Sequence, residues 1–156
     1  RAVLRMIARA VELCPDALWD VRGEEPPFWQ QAYHALMYTD FYLRPAPGEF
    51  ERPDFVEEKA GDLAFVPTTV AGREAILAYA ARVLSRAEEA TASMAASELE
   101  GTNPFGWTGP TVAHRHAYNI RHAQHHAGRL NSFLARRTGK AAAWVMYADW
   151  SAPPSG

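Results

Sequence analysis

The chain has 156 residues with a formal net charge of −2, 48% hydrophobic and 22% charged residues. That length suits one domain able to bury about two-thirds of its unfolded surface, and the mild acidity gives no broad attraction for nucleic acid or anionic lipid. A single cysteine, Cys14, excludes an internal disulfide or a redox pair. No secretory signal is visible, and no apolar run approaches the ~20 residues of a membrane span, so the expectation is a cytoplasmic protein.

Four segments carry helical periodicity and none alternates like a strand. The first covers residues 2–14, with Leu4, Ile7, Ala8 and Val11 on one stripe and Pro15 as its stop. Cys14, at the end of that stripe, reads as an inert packed thiol. The second covers residues 27–43, with Pro27 in its first turn. Phe28, Trp29, Tyr33, Leu36, Met37, Phe41, Tyr42 and Leu43 leave it apolar or aromatic almost all round, as in a helix enclosed by others. His34 lies in its middle.

Prolines 45, 47, 53 and 67 mark a long connection, with a short helical turn expected near residues 54–59. The third helix is expected over residues 70–94, capped by Thr68 or Thr69 and facing inward through Ile76, Leu77, Ala80, Val83, Leu84 and Ala87. A turn-rich loop over residues 101–110 follows. The fourth helix starts near residue 110 or 111 and stops at Gly139. Residues 141–150 can form one short helix across the bundle end. The expected organisation is one all-α domain over residues 1–150, with a tail over residues 151–156.

The fourth helix contains His122-Ala-Gln-His125-His126. Residues four apart stack on one helix face, so His122 and His126 can reach one ion. His125 is rotated about 60° to the other side of His122. Leu130, Ala123, Leu134, Ala127 and Ile120 form the expected core-facing arc, with His122 and His126 at its border. Arg115, Arg121, Arg129, Arg136 and Arg137 read as a solvated face or, failing that, as a contact for an anionic substrate.

Two imidazoles on one turn form a zinc-type pair, and a site needs a third ligand. His34 is the natural candidate, being the only histidine outside the fourth helix. A packing role for His34 is the competing reading. His114 and His116 do not share the 122/126 face closely. The pattern is not that of a zinc protease, because Ala123 stands where the general-base glutamate would be. No Glu-x-x-His pair points to a di-iron carboxylate site. Serine and cysteine triads have no convincing local signature, and no phosphate-cradling glycine loop is present.

The stretch from Trp29 through His34 to Arg44-Pro45 and the phrase His122-Ala-Gln-His-His126-Ala-Gly-Arg129-Leu-Asn131 resemble the two motifs of the DinB-like (damage-inducible DinB) superfamily. The TGK-AAAWV stretch after the fourth helix is similar to that family's usual tail. The resemblance implies a four-helix bundle of up-down-down-up topology with a long loop between helices 2 and 3. It also implies a divalent metal on His34, His122 and His126, and a homodimer. Arg129 stands where the family often has glutamine. Zinc or nickel is the expected ion, with iron, manganese and copper left open.

Three histidines leave a coordination position open, the arrangement of a catalytic site. Relatives in the superfamily include thiol S-transferases and isomerases that use low-molecular-weight thiols such as bacillithiol and mycothiol. The first expectation is therefore a metal-dependent transferase or hydrolase acting on a small molecule. Tyr38, Arg115, Tyr118 and Arg129 are candidate substrate contacts by helical spacing. The alternative is a non-enzymatic metal-binding or stress-related interaction protein. A nucleic-acid or membrane partner is not expected.

Overall fold

The computed structural model describes residues 1–23 and 25–146. Six α-helices follow one another there: α1 (Ala2–Leu13), α2 (Asp16–Trp19), α3 (Phe28–Leu43), α4 (Arg73–Ala92), α5 (Ala96–Leu99) and α6 (Val112–Thr138). Among the described residues the chain is all-helical, with one isolated bridge between Thr102 and Thr111. Among the described residues no helix is long and apolar enough to cross a membrane.

Helix ends follow from local chemistry. Cys14 is already extended before Pro15 and ends α1. Its thiol is buried, and that burial pushes its pKa up to about 11, so the inert-thiol reading fits. Helix α3 starts just after Pro27. Helix α6 ends at Gly139, whose left-handed φ of 71° costs glycine nothing. The threonine cap expected for α4 is not formed. That helix begins after Gly72, and Thr68 and Thr69 instead give their N–H and hydroxyl groups to the Glu57 carboxylate.

The four long helices pack around a core that includes Ile7, Val11, Phe28, Leu36, Ile76, Val83, Leu130 and Phe133. Arg1 meets Glu88 at 3.0 Å, and Arg73 donates to the Val11 carbonyl, so α1 and α4 run in opposite directions. Tyr33 faces Tyr79, and Asp40 faces Arg86, so α3 and α4 run the same way. Tyr42 faces Tyr118, and His34 faces His126, so α3 and α6 are antiparallel. Helix α3 is enclosed nearly all round, as its composition predicts. Its half-exposed positions are His34, Tyr38, Phe41 and Leu43.

Three further expectations need correcting. Residues 54–59 hold only turns, and the helical piece in this connection is a 3₁₀ turn at Pro47–Glu49, where Pro47 presets φ. Residues 141–146 are not helical, and the rest of the helix expected over 141–150 lies outside the described residues. Ile120 is 65% exposed rather than core-facing. The buried arc of α6 instead contains Arg115, Asn119, Ala123, His126, Ala127, Leu130, Phe133 and Leu134. On a 100° wheel that arc is centred nearer His122 than the apolar residues alone indicate. Buried polar side chains had pulled it round.

Candidate metal centre

His34 comes from the middle of α3, and His122 and His126 come from successive turns of α6. Because these helices are antiparallel neighbours, the three rings meet in the seam between them. Ring centroids are 4.4 Å apart for His34–His126, 4.5 Å for His122–His126 and 5.3 Å for His34–His122. One nitrogen from each ring lies within 4.8 Å of those of the other two. Among the described residues this is the one such group of three or more histidine, cysteine or carboxylate side chains. His126 is 6% exposed, while His34 and His122 are half-buried, so one side of the cluster opens to solvent.

All three rings are held neutral. Burial, then the neighbouring imidazoles, pull His126 down to about 3 and His122 to about 4. His34 is lowered chiefly by burial, partly offset by a hydrogen bond to a backbone carbonyl. Neutral imidazole is the form that binds metal. Each ring contributes differently. His34 Nδ1 lies 2.7 Å from the Gly61 carbonyl oxygen. A carbonyl only accepts, so Nδ1 carries the proton and Nε2 keeps its lone pair. His122 Nδ1 and His126 Nδ1 are buried without a partner. Three clustered lone pairs with few protein donors to meet them suit a divalent cation, and the residues therefore fit one.

His125 is exposed, with its ring 5.0 Å from that of His126, and it stands outside the group, as the wheel predicts. His114 is exposed and bonded to Thr111, while His116 is half-buried two turns away.

Tyrosines extend the same seam. On α3 the sequence His34, Tyr38, Tyr42 repeats every four residues, and on α6 Tyr118, His122, His126 does the same. Tyr38 lies 4.7 Å from His34 and 5.4 Å from His122, and Tyr118 stacks on His122 at 6.4 Å. Tyr42 packs against Tyr118 and accepts a hydrogen bond from the Trp107 indole at 3.3 Å. Arg129 is half-buried, and its charge acts on both His34 and His126.

Arg115 is placed otherwise. It is 5% exposed, not solvated, and its guanidinium donates to the carbonyls of Arg44 at 3.0 Å and Pro45 at 3.2 Å. Those carbonyls end α3, where a cation is favoured. Arg115 also lies two helical turns from His122, about 10 Å along the axis. Arg121, Arg136 and Arg137 are exposed, as expected. A wheel marks a charged residue as solvated by default, and only the neighbouring helix end reverses that for Arg115.

Gly61, and Gln30 one turn before His34 on α3, are not marked in the sequence. A loop glycine and a helical glutamine carry no metal signal of their own. An apolar cavity of about 660 Å³, lined by Leu4, Leu43, Ala87, His116 and Ile120 among others, is separate from His34, His122 and His126.

An all-helical protein with a three-histidine group able to hold a divalent ion is the class that fold and site define. The chain belongs to the DinB superfamily, whose family model matches residues 1–130, a span that includes all three histidines. No curated protein and no solved structure matches the chain.

Proposed function

We propose that the protein is a metal-dependent enzyme acting on a small molecule, with His34, His122 and His126 as the ligands of one divalent ion. The observation that carries this reading is the convergence of three neutral imidazoles from two helices, with one side of the cluster open. Three protein ligands with an open position is the catalytic arrangement, whereas structural zinc sites are closed. Zinc or nickel is the ion of choice for such a nitrogen set. When bound, it supplies Lewis acidity and makes a coordinated water or thiol more acidic.

The chain's own residues orient the substrate. Tyr38 and Tyr118 border the histidines with half-exposed rings, and their hydroxyls can donate to an oxygen or sulfur of a bound molecule. Arg129 offers a cation to an anionic group. The reaction class is thiol S-transfer or hydrolysis, with a low-molecular-weight thiol as the co-substrate in the first case. The helix directions set out above support a four-helix bundle of up-down-down-up topology; a homodimer, as the resemblance to the family implies, and a cytoplasmic location are part of the proposal. Turnover of electrophiles with candidate thiols, and of hydrolysable esters and amides, would be measured in wild type and His126→Ala. Equal rates in the two proteins would sink the proposal.

A second reading is favoured by the position of the cluster on the α3–α6 seam. An ion there ties two helices together, which is a sufficient role in a non-enzymatic metal-binding protein. In that case chelation lowers thermal stability, yet no small molecule competes for the open position.

A further inference from the structure

We infer that the connection between α3 and α4 is a built part of the metal centre, and that Gln30 is the positioning residue that holds it there. The inference rests on the reading that His34 binds the ion. Gln30 is 1% exposed and sits one turn before His34 on the same face of α3. Its side-chain nitrogen lies 3.3 Å from the Ala60 carbonyl, 3.0 Å from that of Asp62 and 2.9 Å from that of Phe65. One amide thus gathers three carbonyls of a tight turn. The residue inside that turn is Gly61, whose own carbonyl is the partner of His34 Nδ1 at 2.7 Å.

A Cβ at Gly61 would meet Sδ and Cε of Met37, the flexible end of a side chain on α3, which would have to move aside to admit it. Gly61 fixes which nitrogen of His34 carries the proton and how the ring is turned. Without that acceptor the imidazole can adopt either tautomer and rotate. Orienting contacts of this kind typically change metal affinity 10–100-fold.

The connection is also anchored independently of Gln30. Trp19 donates to the Ala71 carbonyl at 2.8 Å, Arg22 to that of Pro67 at 2.7 Å, and Glu57 holds Thr68 and Thr69. Removing the Gln30 amide therefore loosens the turn at residues 60–65 without detaching the whole segment.

The test uses the full chain. Zinc affinity by chelator competition and the visible spectrum of the cobalt-loaded protein would be measured for wild type, His34→Ala, Gln30→Leu and Gln30→Met. Both Gln30 variants are expected to bind zinc 10–100-fold more weakly, at a temperature where their metal-free forms are folded. Their cobalt spectra at saturation should differ from wild type, a change that a purely structural role would not produce. Affinity within about threefold of wild type with an unchanged cobalt spectrum would overturn the inference. Should the Gln30 variants not fold, Gly61→Val, whose branched side chain presses on Met37 and so shifts the same turn, is held to the same two outcomes. If wild type binds neither metal, or His34→Ala binds as well as wild type, the underlying metal reading fails instead.

Discussion

His34 and His126 face each other across the seam of α3 and α6 with ring centroids 4.4 Å apart, although 92 positions separate them in the chain. Neither helix alone supplies three ligands. A divalent ion at this seam would therefore couple binding to the packing of the two helices.

That coupling predicts a stability effect. Adding zinc to the metal-free protein should raise the thermal midpoint in a concentration-dependent way, since the ion binds only the folded state. His126→Ala should abolish most of the increase. Calorimetry with and without chelator checks this, and an equal zinc response in the variant would remove His126 from the site.

Acid should destabilise the metal-free protein. Burial lowers the pKa of His34, His116, His122 and His126 in the folded state, with His122 near 4 and His126 near 3. Unfolded histidine takes up its proton near pH 6.5. Between about pH 6.5 and pH 4 the unfolded chain binds more protons than the folded one, so stability falls as pH falls through that window. Thermal midpoints at pH 7.5, 6.5, 5.5 and 4.5 with chelator present would show the slope. A flat profile would contradict neutral burial of these rings.

Asp40 anchors α3 to α4. Its carboxylate is 2% exposed and accepts from Arg86 at 2.5 Å, Tyr79 at 3.0 Å and Arg44 at 3.3 Å. Asp40→Ala removes the acceptor and leaves two cations facing each other. The guanidiniums keep partial access to water, so the expected loss is near the lower end for a broken buried pair, about 3 kcal/mol. Urea denaturation measures it, and a loss below about 1 kcal/mol would mean that the network contributes like a surface pair.

Two arginines on α6 should behave oppositely. Arg115→Ala strips the end of α3 of its donors and should cost about 2 kcal/mol. Arg121→Ala, on the exposed face, should change stability by no more than about 0.5 kcal/mol. Zinc affinity should be unchanged in both, because neither side chain touches the histidine group. Similar stability losses for the pair would refute the placement of Arg115.

Much of this molecule is written in local spacing. The 3.6-residue repeat marks the four long helices, Pro15 and Gly139 end two of them, and the four-residue step aligns His122 with His126. The aromatic girdle of residues 28–43 marks α3 as enclosed, which makes His34 conspicuous. These features depend only on neighbours a turn away, so the chain states them directly. The rest depends on what lies opposite. Arg115 is buried because the carbonyls of Arg44 and Pro45 end a different helix beside it. Thr68 and Thr69 meet Glu57 rather than cap α4, because the connection folds back on itself. Gly61 meets His34 where Gln30 draws the turn against α3. Hydrogen bonds between distant segments leave no period in a sequence, and tertiary packing alone decides which of its polar groups meet.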